Sequence, residues 1–99
     1  MYTNFEIKNV KASDDIEIEG EVMLMRMHDY IPTAQSATAE IARRAGKFVC
    51  HFEVCSETDF FIVEAASADV KFCIKTVERK MLQKMGLTSA TRNHFAALA

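Results

Sequence analysis

Between residues 36 and 67 apolar side chains recur at every second position, and on either side of this block they recur every three or four. Strand side chains alternate between two faces, whereas helical side chains return to one face every 3.6 residues. The pattern therefore predicts a block of strands flanked by helices. Within the block, strand-like runs cover residues 36–44, 47–57 and 59–67, separated only by Ala45-Gly46 and by Thr58 with its polar neighbours. Two tight returns in succession predict an antiparallel meander. In the second run Phe48, Cys50, Phe52 and Val54 share one side, and Val49, His51, Glu53 and Cys55 share the other. The third run places Phe61, Val63 and Ala65 opposite Phe60, Ile62 and Glu64.

Residues 34–45 admit two structures. Their alanines and Arg43-Arg44 suit a short helix by intrinsic propensity. The alternation of Ala37, Ala39 and Ile41 with Thr38, Glu40 and Ala42, followed by the Ala-Gly-Lys return, favours a strand. Upstream, residues 5–10 alternate as a short first strand, and residues 11–14 turn the chain. Ser13 or Asp14 can then cap a helix whose first turn holds Asp15 and Glu17, acids placed where the helix dipole favours them. Ile16, Gly20, Met23, Met27 and Tyr30 supply a helical stripe, although Ile16, Ile18, Val22 and Leu24 also read as alternation. The caps and the Met-Leu-Met-Arg-Met run favour helix, and Pro32 disfavours its continuation at Ile31.

A final helix opens near Ser67 or Asp69 and closes at Met85 before Gly86, with Val70, Cys73, Ile74, Val77, Met81 and Met85 as its apolar stripe. Lys71, Lys75, Arg79, Lys80 and Lys84 fill much of its remaining surface, with Glu78 the one acid in the helix body. Residues 87–99, carrying Arg92 and His94 among small residues, read as a loosely ordered tail. The expected architecture is a single α+β domain over residues 1–86, ordered β-α-β-β-β-α. Its antiparallel-rich four-stranded sheet would carry both helices on one face.

Composition narrows the function. Ninety-nine residues with 49% hydrophobic content suit one domain with one core. No run of about 18 apolar residues is present, and Asn4, Glu6 and Lys8 interrupt any signal-peptide core at the N-terminus, so a cytoplasmic protein without a membrane partner is expected. Cys50, Cys55 and Cys73 cannot all pair, and Cys50 and Cys73 fall on core positions, which predicts reduced thiols. A net charge of −2 excludes a chain coated in positive charge, so any nucleic-acid binding must use a local patch. Five of the six methionines lie in the two helix candidates, at Met23, Met25, Met27, Met81 and Met85, where methionine serves to fill an irregular core.

Taken in order, the Tyr30-Ile31-Pro32 exit from the first helix, the run from Ser36 to Ile41, the apolar positions of Phe48 to Val54 and of Phe60 to Ala66, and the helix containing Cys73-Ile74 and Lys80-Met81 resemble the ribosome hibernation-promoting factor and ribosome-associated inhibitor family. The resemblance covers most of residues 5–85 and lies in element lengths and apolar positions. It implies a β-α-β-β-β-α domain, similar in its core to double-stranded RNA-binding domains, that occupies the mRNA and tRNA channel of the small ribosomal subunit and blocks translation. It further implies rRNA contacts through basic side chains, with Lys80 and Lys84 the best match to the family's second-helix pattern; Arg79 and Lys75 can join them.

Four candidate sites follow from the residues themselves. The basic face of the last helix, with Arg43, Arg44 and Lys47 at the first hairpin, can meet several phosphates or can be a solvated helix face. Cys50, His51 and Cys55 are metal-ligand types, but Cys50 and Cys55 point to opposite sides of a strand, so no metal is expected. Adjacent strand residues also point apart, so Cys50 and His51 cannot act as nucleophile and base; with no glycine-rich phosphate loop, no HExxH and no nucleophile elbow, neither an enzyme nor a cofactor is expected. Val49, His51, Phe60 and Ile62 would share the outward sheet face, where they can form a protein interface and support a homodimer. That gives two function classes: a ribosome-associated translation inhibitor, or a small homodimeric interaction module with no ribosome binding.

Overall fold

The alternating block folds as three consecutive strands, and a fourth joins them from the N-terminus. The computed structural model describes residues 1–11 and 13–86. Its elements are β1 (Tyr2–Lys8), α1 (Asp14–Tyr30), β2 (Ser36–Arg44), β3 (Lys47–Cys55), β4 (Phe60–Ser67) and α2 (Val70–Lys84). The sheet order is β1-β2-β3-β4, with β1 parallel to β2 and the two remaining pairs antiparallel. This is the expected α+β order, and residues 34–45 resolve in favour of a strand. The tail expectation, with Arg92 and His94, lies outside the described residues.

Four boundaries differ from the local pattern, each for a tertiary or turn reason. β1 begins at Tyr2, three residues before the expected strand, because its parallel register starts at Tyr2 opposite Ser36 and Tyr2 N–H donates to Gln35 O at 2.9 Å. It stops before Asn9, whose φ of +56° leaves the extended region. β3 ends at Cys55 and β4 begins at Phe60 because residues 56–59 close a turn: Ser56 N–H donates to Asp59 O at 2.8 Å, and Asp59 N–H to Ser56 Oγ at 3.0 Å.

The remaining ends follow side-chain chemistry. Ser13 Oγ accepts from Ile16 N–H at 3.3 Å to start α1, and Asp69 Oδ1 accepts from Phe72 N–H at 2.8 Å to start α2. At the β2–β3 return Ala45 and Gly46 have φ of +50° and +78°, the two positive values that a two-residue type I′ turn requires. Glycine meets this demand without cost, but Ala45 must hold its Cβ in the left-handed region.

Both helices lie on one sheet face, α1 over β1 and β2, α2 over β3 and β4. Register puts Phe5, Ala39, Phe52 and Val63 in one row beneath them, and Ile7, Ile41, Cys50 and Ala65 in the next. Phe52, Met23, Met27, Ile41, Ile74 and Met81 are fully buried between the layers, each contributing about 1.5–3 kcal/mol from removal of apolar surface. Gly20 sits mid-helix for a steric reason: a Cβ there would overlap the Phe5 ring. No helix among the described residues is long and apolar enough to cross a membrane.

Candidate nucleic-acid interface

The buried side of α2 is formed by Cys73, Ile74, Val77, Met81 and Leu82, which leaves Lys71, Lys75, Arg79, Lys80 and Lys84 in solvent. Leu82, absent from the expected stripe, is buried because the stripe widens toward α1. Two of the lysines have a second task. Lys80 Nζ donates to Glu64 O at 3.0 Å and Lys84 Nζ to Ile62 O at 3.1 Å, both on β4, an edge strand with open carbonyls. Lysines placed along an edge discourage pairing with another chain. An ammonium has three donors, so each keeps capacity for an anion.

Arg43, Arg44 and Lys47 flank the β2–β3 turn and are exposed, with the Arg43 guanidinium 5.2 Å from the centre of the Phe48 ring. Cys73 Sγ lies 3.4 Å from Phe48 O and 3.2 Å from Ala65 O, which seats the first turns of α2 beside the start of β3. The hairpin cations and Lys71 and Lys75 thus share one end of the domain.

Charge is segregated sharply. Eight of the twelve Lys and Arg residues belong to this set, leaving four to face fourteen acids in the whole chain. Among the described residues the cations held in ion pairs are Lys8, bridging Glu40 at 3.2 Å and Glu6 at 3.6 Å, and Arg26 with Glu78. His51 also pairs with glutamates, but none of the eight has a carboxylate partner. Glu78, the acid on α2, is withdrawn by Arg26 of α1 through two bonds of 2.7 and 2.8 Å, and this hydrogen bonding raises the Arg26 pKa. The basic set therefore stands without internal neutralisation.

The open sheet face has the opposite character. Glu6, Glu40, His51 and Glu64 form one row across all four strands. His51 Nε2 lies 3.2 Å from Glu53 Oε1, and Nδ1 lies 3.4 Å from Glu64 Oε2. Hydrogen bonding to Glu53 is the main cause of the raised His51 pKa, opposed by burial and assisted by Glu64. The four residues expected to gather on this face do share it, but not as one apolar patch. Val49 is buried, in a row between Ala42 and Ala66 on an interior strand, and His51 belongs to the polar ladder. Phe60 and Ile62, 60% and 39% exposed, remain as the apolar pair at one corner.

The two buried thiols, Cys50 and Cys73, lack the setting of nucleophiles. Burial pushes the Cys50 thiol up to about 12 and also raises Cys73, whereas a reactive cysteine needs an exposed, electropositive site. Cys50 faces the helices and Cys55 the open side, so strand alternation separates them. Sequence reasoning missed Phe72, which is exposed among the cations of α2; its place off the apolar stripe was the available signal.

No family model and no curated protein matches the sequence. Solved structures do share the fold. A ribosomal subunit interface protein from Coxiella burnetii superposes with a TM-score of 0.77 at 14% identity, over 87% of this chain and 94% of that one. The Protein Y N-terminal domain from Thermus thermophilus superposes with a TM-score of 0.71 at 21% identity, over 85% and 94% of the respective chains. Both are members of the hibernation-factor family.

Proposed function

We propose that this chain is a cytoplasmic ribosome-associated factor of the hibernation type, which binds rRNA of the small subunit through α2 and the β2–β3 hairpin and inhibits translation by occupying an RNA-lined channel. The observation that carries this is the set of eight cations without a carboxylate partner, displayed on a fold shared with a ribosomal subunit interface protein. A rigid helix presenting Lys71, Lys75, Arg79, Lys80 and Lys84, joined by Arg43, Arg44 and Lys47, meets phosphates by displacing their counterions. Such contacts position a domain without reading base sequence, which suits steric occlusion. The acidic open sheet face would point away from the phosphates. No bond is made or broken in this mechanism.

Co-sedimentation with purified small and large ribosomal subunits tests it. Association with small subunits at low salt that weakens steeply as salt rises is the expected result. Absence of association at low salt would refute the proposal. The exposed pair Phe60 and Ile62 favours a second reading, a homodimer through the open face. It requires that the wild type show no association with subunits and that Phe60→Ser with Ile62→Ser abolish self-association.

A further inference from the structure

α1 is amphipathic twice over. One side, Ile16, Gly20, Met23, Leu24 and Met27, is buried; directly opposite, Ile18, Val22 and Met25 repeat at i, i+4 and i+7 and are 58%, 38% and 67% exposed. This outward crest is flanked by Asp14, Asp15, Glu17, Glu21 and Asp29, all in solvent. A surface helix normally carries one apolar stripe, and an apolar crest of this kind marks a partner surface. The acids beside it repel phosphate and select a partner whose apolar groups are ringed by cations.

The neighbouring helix has that composition. On the outward crest of α2, Phe72 is 58% exposed, with Lys75 and Arg79 three and seven residues further on and Lys71 beside it. The Arg26–Glu78 pair joins the helices side by side and sets their relative heights. Both helices run opposite to β1 and β4, since each returns from the end of one of those strands. Counting back six residues from each partner of that pair along the two parallel helices matches Phe72 with Gly20, between Ile18 and Val22.

We propose that the helix layer is a self-complementary surface on which two copies of this chain pair, α1 of each seated on α2 of the other. A two-fold axis parallel to the helices, lying between the two layers, generates both contacts at once and preserves height. Phe72 of one copy enters between Ile18 and Val22 of the other, and Lys71, Lys75 and Arg79 meet the acids of α1. The alternative two-fold, perpendicular to the helices, sets α1 on α1 and brings like charges together. Pairing covers the outward crest of α2, so a dimer cannot present Phe72, Lys75 and Arg79 to RNA. That competition rests on the ribosomal proposal; the pairing itself does not.

Sedimentation equilibrium of the full chain at low salt, over a range of protein concentrations, tests the proposal. The wild type is expected to show a concentration-dependent dimer. Ile18→Lys with Met25→Lys, and separately Phe72→Lys, should each raise its dissociation constant about tenfold or more, a loss of at least about 1.4 kcal/mol. All three positions are exposed, and an unchanged circular dichroism spectrum verifies the fold. Phe60→Ser with Ile62→Ser should leave the dimer unchanged. A wild type that stays monomeric overturns the proposal, as does a dimer that survives the helix substitutions but not those on the sheet. Weakened subunit binding by Phe72→Lys from a monomeric wild type overturns it too, assigning Phe72 to RNA. Lys80→Gln with Lys84→Gln lies on the β4 side of α2, outside the pairing face, so it tests the ribosomal proposal separately.

Discussion

Replacing Lys80 and Lys84 by Gln removes two charges from α2 while keeping, on shorter stems, N–H donors toward the β4 edge carbonyls that the lysines cover. The expected change is in salt dependence. If the five cations of α2 each neutralise one phosphate, log affinity should fall with log salt at a slope of about 3.5 to 4.5, at about 0.7–0.9 per phosphate. Raising salt from about 50 to about 200 mM would then weaken wild-type binding by about 100- to 500-fold. Without two of the five contacts the slope should drop by about 1.4 to 1.8, and the same salt step should cost about 20- to 40-fold. The assay is titration of fluorescently labelled protein against small ribosomal subunits at several salt concentrations. Lys8→Gln serves as control, because Lys8 lies on the open face in ion pairs with Glu40 and Glu6 and should leave the slope unaltered. An unchanged slope in the double variant would refute the assignment of these lysines to phosphate, whatever the change in affinity.

Three further outcomes follow from the fold. Glu78→Gln should lower stability by about 1 kcal/mol in urea unfolding, since the bidentate pair with Arg26 is partly exposed and so worth less than a buried one; an unchanged midpoint would show that the pair contributes nothing. Ala45→Gly should raise stability by about 0.5–1 kcal/mol, because relief of the left-handed Cβ strain exceeds the added freedom of the unfolded chain, and a lower melting temperature would contradict the turn geometry. His51 has a folded pKa above its unfolded value, so its stabilising contribution is fully present below about pH 6.5 and is lost as pH rises through the folded pKa. Wild type should therefore exceed His51→Gln in stability most at acidic pH, and an NMR titration giving His51 a pKa at or below the ordinary histidine value would defeat this.

The strands from residue 36 onward were legible because period-two alternation and an Ala-Gly return are local signals, and the register of Ala37, Ala39 and Ile41 against Val54, Phe52 and Cys50 follows directly from them. The start of β1 was not legible. Met1, Tyr2 and Thr3 acquire strand structure by parallel pairing with a segment more than thirty residues away or lie beside it, and nothing in their own pattern signals that partner. The eight basic residues were identifiable by type and spacing, but their freedom from carboxylates depends on Arg26 reaching across to Glu78, a pair separated by 52 positions.

α1 shows most clearly where periodicity alone stops. Ile18 and Val22 interrupted the helical reading by mimicking alternation with Ile16 and Leu24, because a helix with apolar residues on two opposite sides has no single stripe. Local propensity cannot say which side turns inward, as both repeat at the same 3.6-residue period. Tertiary fit decides. Gly20 leaves room for the Phe5 ring on one side only, so Ile16, Met23 and Met27 go with it into the core and Ile18, Val22 and Met25 are turned out. Apolar groups kept on the outer side of a helix lower solubility without adding to the core, whereas a partner whose aromatic residue stands among cations would bury them and match the acids at their margins. The same domain presents those acids on α1 and those cations on α2 at matching heights, which makes a second copy of the chain the simplest partner that satisfies both surfaces at once.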